Sequence, residues 1–478
     1  MLFNSFEYLI FLPIVFVLYW KVFTRNLQLQ NGFLLLVSYL FYGWWDWRFL
    51  LLIAFSSLVD YNIGIRLDKT TDNRRRKLLL YLSLFVNLGL LGYFKYCNFF
   101  IYNFKIALES FGFHAEYSSL QIILPVGISF YTFQTLSYTI DIYRGNLKPT
   151  RNAIQFFAYV SFFPQLVAGP IERAKNLLPQ FKISKQFDIN LFSKGFNQIV
   201  WGFFKKVVIA DSCALYVNQI FDAPQDFNSV TLILGAVLFA FQIYCDFSGY
   251  SDIAIGTAKL FGFDLMKNFN YPYFSRDIAE FWRRWHISLS TWFRDYLYIP
   301  LGGSKGGTIS KIRNTFIIFI VSGFWHGANW TFVFWGFLNA LFFLPLLVTN
   351  KNRKFLNTVA EGRKLPTFKE FLQISFTFTL TTLAWVFFRA NSLTEAFIYI
   401  KSIFAFENTF SIKSFYISGI ERYSFEILPL ILFFILLEWM NRRKDHPINN
   451  YKMLLFISIL IIIFGEFSER SSFIYFQF

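Results

Sequence analysis

Four histidines occur in 478 residues, and two of them stand where an imidazole could do chemistry. His326 lies in NTFIIFIVSGFWHGANWTFVFWGFLNALFFLPLLVTN, the 37-residue stretch 314–350, which holds no Asp, Glu, Lys or Arg. An ionisable group at membrane depth costs free energy unless a partner or a cavity receives it, and it marks a functional site by default. Gly323 and Gly327 bracket the ring and permit close approach or an opening in the helix. Neutral imidazole, with an ordinary pKa near 6.5, is the usual base for taking a hydroxyl proton. A plain hydrogen bond to a neighbouring helix would explain the same residue. His286 sits 40 residues earlier in YFSRDIAEFWRRWHISLSTWFRDYLYIPLGG. Asp246 and Asp252 interrupt the apolar run FQIYCDFSGYSDIAIG, with Tyr250 between them, and could cap a helix end or pair with an Arg as readily as catalyse. His114 and His446 fall in polar loops with no chemistry around them.

The elements that must hold these groups are membrane helices. Hydrophobic residues make up 55% of the chain and charged ones 15%, with a mean hydropathy of +0.43. That balance excludes a disordered chain and points away from an ordinary soluble enzyme. The 22% aromatic content, 68 Phe among it, suits lipid-facing helices with interfacial anchors. A net charge of +16 is then assigned to cytoplasmic loops and anionic lipid, not to nucleic acid. Cys97, Cys213 and Cys245 form no CxxC pair, so no disulfide framework and no metal site is expected. No GxGxxG, P-loop, HExxH or GxSxG occurs, which removes support for a tightly bound cofactor or a classical hydrolase.

Candidate spans lie near 6–23, 31–46, 48–65, 78–97, 152–171, 195–217, 228–248, 314–348, 371–389, 424–440 and 452–468. With roughly 20 apolar residues needed per crossing, the expectation is an all-α protein with about 9 to 12 crossings. No Lys or Arg precedes Lys21, so the first apolar stretch reads as a retained span without a signal-peptide n-region. The stretch 119–142 is broken by Pro125 and Gly127 and rich in Ser, Thr and Tyr, and reads as a tilted or re-entrant element shielded by protein. No polar segment is long enough for a separate soluble domain, so residues 1–478 read as one integral membrane domain with its motif-rich core at 120–348. Arg74, Arg75, Arg76 and Lys77, and Arg442, Arg443 and Lys444, place both their loops in the cytoplasm.

Around His286, the residues Ile278, Phe281, Trp282, Trp285, Leu289, Trp292 and Phe293 fall at helical spacing. With Arg276, Arg283, Arg284 and Arg294 among them, 275–299 reads as an amphipathic helix lying at a membrane surface or beside a cavity. Lys305, Lys311 and Arg313 extend the basic run. Arg forks suit the phosphates of a coenzyme A or phosphopantetheine thioester, and equally suit anionic lipid headgroups.

Five blocks make a specific resemblance: LPVGISFYTFQTLSYTIDIYRG (124–145), FFPQLVAGPIER (162–173), DFSGYSDIAIGTAKLFGF (246–263), NFNYPYFSRDIAEFWRRWHISLSTWFRDYLYIPLGGS (268–304) and SGFWHGANWTFVFWG (322–336). In content and order they resemble the membrane-bound O-acyltransferases, most closely the bacterial alginate O-acetyltransferase-like branch. The resemblance implies a helical membrane body around a central funnel in the bacterial cytoplasmic (inner) membrane. It also implies acyl transfer from a cytoplasmic thioester, acetyl-CoA or an acyl carrier, to an acceptor reached from the other face. The family's hallmark histidine corresponds to His326 and its second polar position to His286. A separate periplasmic or extracellular transferase is an expected partner, beside membrane lipid.

The chemistry asks for a base, met by His326, and for donors aimed at the developing oxyanion. Asn329, Trp325 Nε1 or His286 could supply them, with Asp246, Tyr250 and Asp252 in support. Arg283, Arg284, Arg294 and Lys305 are the candidate donor-binding cations. Cys245 and Ser322 are conceivable acyl-enzyme sites without signs of activation, so direct transfer is favoured. A proton-coupled transporter using His326, Asp246 and Asp252 as a relay and a non-catalytic assembly subunit of an exopolysaccharide complex are the competing classes.

Overall fold

The computed structural model describes residues 1–113, 120–166, 169–405, 427–467 and 473–474, and among these every regular element is helical. His114 lies outside the described residues, as do positions 167–168 of the second motif block. Two compact units emerge: Met1–Phe196 with Ala254–Met266, and Asn197–Ile253 with Lys267–Phe478.

The first unit is built on the buried helix Ile128–Tyr143, in which only Ile140 and Tyr143 escape full burial. Its Ser and Thr content has a use there. Thr139 donates to Asp60 at 3.0 Å and Thr135 to Asn87 at 3.1 Å, while Ser83 and the Asn87 amide also donate to Asp60. These bonds tie Ile128–Tyr143 to the apolar helices Arg48–Lys69 and Asn73–Leu91 and satisfy a carboxylate that would otherwise be costly to bury. Gly127, at φ 74°, makes the left-handed turn from the irregular stretch 120–127 into the helix. The protein thus shields the helical part of the 119–142 stretch, whereas Leu120, Gln121 and Ile123 of its irregular part are exposed.

The second unit holds most of the long helix Ser229–Leu260, then Gly307–His326, Trp330–Val348, Phe368–Arg389, Ile427–Asn441 and Tyr451–Phe464. The 314–348 run is two helices rather than one crossing. Asn329 ends the first by capping the second, its Oδ1 accepting from Thr331 N at 3.0 Å. Gly323 and Gly336 let the pair touch along their backbones: a Cβ on either would collide with the carbonyl of Phe332 or Phe319.

The stretch 275–299 is likewise not one amphipathic helix. It forms Ile278–Arg284, then Ile287–Phe293, then a π-helical turn Arg294–Tyr298. The break has a local cause. His286 stands at φ 42°, and the backbone bonds that would continue the helix are diverted to residues 268–270, with Asn270 N donating to Arg284 O and Ile287 N to Asn268 O.

Among the described residues, five helical stretches have the length and apolarity to cross a membrane: Arg48–Lys69, Asn73–Ser110, Ser229–Leu260, Trp330–Val348 and Phe368–Arg389. The expected crossings at 6–23, 31–46, 424–440 and 452–468 are represented by shorter helices of 14–17 residues. The chain is an all-α, multi-span integral membrane protein.

Candidate active site

His326 closes the helix Gly307–His326 and is 4% exposed, His286 1%. Trp325 neighbours both imidazoles, its ring centroid 6.2 Å from His286 and 4.9 Å from His326. The walls are aromatic. Trp335 and Phe388 meet His326 edge-on at 5.2 and 5.3 Å, and Trp385 packs on both of them. Phe247 meets His286 edge-on at 4.5 Å. Gly327 matters for a steric reason, since a Cβ there would enter the Phe332 ring.

His286 is held from one side only. Its Nδ1 lies 3.1 Å from Asn268 Oδ1, which also accepts from Ser288 Oγ at 2.8 Å and Ser288 N at 3.3 Å. The Asn268 amide in turn donates to Ser251 at 3.0 Å. Nε2 is buried with no hydrogen-bond partner among the described residues. His286 lies outside the five long apolar helices, and its complete burial pushes the imidazolium far below its ordinary pKa, so the ring is neutral.

Beside this pair lies a cavity of about 230 Å³. Its apolar wall includes Leu289, Phe293, Phe319 and Phe343, and its polar lining includes Ser304, Asn352, Arg294 and Arg353. Ser322, one turn before His326 on the same helix, lines it as well. So does Trp282, whose ring lies 5.7 Å from Trp335. Trp282 and then Trp335 therefore lie in series between the cavity and His326.

A family model described as MBOAT, membrane-bound O-acyltransferase family, matches residues 149–388. The chain belongs to the membrane-bound O-acyltransferase family. It is 42% identical to a protein named probable alginate O-acetylase in Pseudomonas aeruginosa, over 85% of this chain and 75% of that one. It is 35% identical to a peptidoglycan O-acetyltransferase of Helicobacter pylori, over 81% and 76% of the two chains. It is 29% identical to a teichoic acid D-alanyltransferase of Bacillus subtilis over 46% and 58%. The chain is a membrane O-acyltransferase.

Against that family chemistry, the other residues singled out from the sequence separate cleanly. Asn329 is occupied as a helix cap and donates to Asn391 O at 2.9 Å. Asp246 and Asp252 pair with lysines, not arginines: Lys206 lies 2.7 Å from both Asp246 and Asp211, and Lys205 lies 2.6 Å from Asp252. Tyr250 is buried with its ring 4.5 Å from Phe473. Arg284 faces inward on Glu280 at 2.9 Å, sharing that carboxylate with Arg276. Arg283 donates to the carbonyls of Asn352 and Phe355, both at 2.7 Å, and so props the loop that rims the cavity. Arg294 lines the cavity, paired with Asp295, and Lys305 stands exposed on the adjoining turn.

Three residues escape the sequence reading. Arg353 belongs to the polar loop KNRK directly after the charge-free run, where only its position past the span would have flagged it. Trp282 belongs by its spacing to an anchoring stripe, yet its indole N–H is buried without a hydrogen-bond partner among the described residues. Asn268 stands at the head of the fourth motif block, far enough from His286 that only the fold joins them.

Proposed function

We propose that this enzyme is an O-acetyltransferase of the bacterial cytoplasmic membrane that moves acetyl from a cytoplasmic thioester towards a hydroxyl of a cell-surface polysaccharide. The single observation behind this reading is the placement of His326 one helical turn from Ser322, which lines a cavity whose polar lining includes two arginines. The names of the alginate and peptidoglycan relatives support the acetyl group and the polymer class. The acceptor hydroxyl oxygen attacks the thioester carbonyl as His326 takes its proton. The tetrahedral intermediate then expels the thiolate, which receives that proton back as the ester leaves. Trp282 Nε1, a buried donor on the cavity wall, is suited to the developing oxyanion.

The donor is acetyl-CoA or an acyl carrier thioester. Its phosphates would meet Arg294 and Arg353, and its thin pantetheine arm suits the apolar part of the cavity. A periplasmic or extracellular partner transferase is the proposed route onto a polymer, since the described residues form helices without a separate soluble domain among them. The basic loops at 66–77 and 441–447 face the cytoplasm in this reading. Arg442 does more than mark a side, since it is buried and donates to the carbonyls of Val359, Ala360 and Arg363.

Transfer of labelled acetyl from acetyl-CoA, followed in membranes, tests the reading. Ester formation that vanishes in His326→Ala but survives in Ser322→Ala is the expected result. A trapped ester on Ser322 would replace direct transfer by a covalent route. Full transfer by a well-expressed His326→Ala protein would refute the reading.

A further inference from the structure

We propose that Asn268 is a positioning residue that keeps the proton of neutral His286 on Nδ1, so that the Nε2 lone pair accepts a hydrogen bond from the acceptor substrate. This rests on the acyl-transfer reading above and assigns the second histidine a role that excludes oxyanion donation. The argument turns on which amide atom faces the ring. The backbone N–H of Ser288 can only donate, and it lies 3.3 Å from the Asn268 atom that also faces His286. That atom is therefore the carbonyl oxygen, an obligate acceptor. The other end of the amide agrees, since Nδ2 donates to Ser251 Oγ at 3.0 Å.

The Ser288 hydroxyl does not compete for Nδ1. It lies 2.8 Å from Asn268 Oδ1 and 3.4 Å from Nδ1, so its proton goes to the amide oxygen. With an acceptor 3.1 Å away, Nδ1 must carry the hydrogen, and a neutral ring then has none on Nε2. Nε2 is buried and unpartnered among the described residues, on a ring whose aromatic neighbours include Phe247 and Trp325 at centroid distances of 4.5 and 6.2 Å. Such an atom is held ready for a donor from outside the protein.

The backbone reinforces this assignment. His286 occupies a left-handed conformation that is uncommon for a side chain of this kind, and it is fixed by the bonds from Asn270 N to Arg284 O and from Ile287 N to Asn268 O. The same short segment that carries Asn268 thus sets the backbone on both sides of the ring. His326 keeps the role of base, because burial makes His286 a poor proton acceptor while leaving it a good hydrogen-bond acceptor.

The 478-residue chain contains four histidines, so solid-state nitrogen NMR of histidine-labelled protein in lipid can resolve them, with His286→Gln identifying the signal. The expected wild-type spectrum has Nδ1 protonated and Nε2 bare in His286. Asn268→Leu should shift the proton towards Nε2 and lower envelope-bound acetyl ester about 10- to 100-fold, the scale seen when an orienting partner of a functional histidine is lost. Asn268→Asp keeps an acceptor at the same place and should restore the Nδ1–H signature and most of the ester. Ser288→Ala should leave the tautomer unchanged. A wild-type spectrum with the proton on Nε2, or an unchanged tautomer in Asn268→Leu, overturns the proposal even if acyl transfer itself is confirmed. Should Asn268→Leu fail to accumulate, the wild-type spectrum alone still decides. Absence of any His326-dependent ester would instead count against the acyl-transfer reading.

Discussion

Two buried polar clusters share the second unit and have opposite bookkeeping. Around the π-helical turn Phe204–Ala210, Lys206 meets Asp211 and Asp246, and Lys205 meets Asp252 and donates to Ser248 at 2.9 Å. The carboxylates are satisfied further, Asp246 by Ile474 N at 2.8 Å and Asp252 by the Gln198 amide at 2.7 Å. Every charge has an opposite charge. Around Trp325 the two imidazoles stand among aromatic rings, and His286 offers a nitrogen that nothing described answers. In sequence the two clusters look alike, each an ionisable group inside an apolar run. What separates them is saturation: a completed network holds the fold, while an incomplete one awaits a substrate.

The comparison predicts its largest effect at His326. His326→Ala should lower acyl transfer by about 10² to 10⁴-fold, the contribution of a positioned base, with membrane yield and unfolding midpoint unchanged. A matching loss of fold would move the histidine into the same class as the lysines.

The ion cluster should show the reverse pattern. Lys206→Met strands Asp211 and Asp246, which are both nearly fully buried, and breaking such a pair costs about 3–5 kcal/mol. Denaturation in detergent should register that loss, and any protein that remains folded should keep its KM for the donor. A Lys206→Met protein of normal stability but without activity would show that the cluster works in catalysis.

A smaller effect is expected at the cavity. Arg294→Gln and Arg353→Gln should each raise the apparent KM for acetyl-CoA about tenfold, equivalent to about 1.4 kcal/mol, at unchanged yield. Arg283→Gln should act differently, loosening the rim through Asn352 and Phe355 and lowering activity whatever the donor concentration. Donor KM values unchanged from wild type in Arg294→Gln and Arg353→Gln would remove the arginines from the donor site.

These contrasts also show what the sequence could reveal. The two histidines, the helical class and the family were legible because isolated polar groups in apolar runs and the motif blocks are local signals. The crossing count was less so: Phe6–Lys21 and Leu27–Gly43 are apolar but too short for an untilted crossing. The break at His286 was hidden because the aromatic stripe keeps helical spacing across it, while the bonds that interrupt it come from residues 268–270. The carboxylate partners were hidden for a like reason. Lys205 and Lys206 lie 40 or more residues before Asp246 and Asp252, and close packing of Gly202 against Gly249 helps to bring those helices together. A Cβ on Gly202 would lie 2.6 Å from the Gly249 carbonyl oxygen.

The smallest effect sharpens the comparison through pH. In the unfolded chain His286 titrates near 6.5, whereas burial in the folded protein pushes it down to about 3. Between those values the unfolded state binds one more proton, so stability contributed by this site is complete above about pH 6.5 and falls as the pH drops. About 1 kcal/mol should be lost by pH 6 on this account. Other groups titrate in the same window, so the useful quantity is the difference between wild type and His286→Gln, measured from pH 7.5 to pH 6. That difference should shrink towards low pH, because the variant has no proton to refuse. A wild-type curve parallel to that of His286→Gln would mean that the ring finds a proton-stabilising partner in the folded protein, and the two clusters would no longer differ in kind.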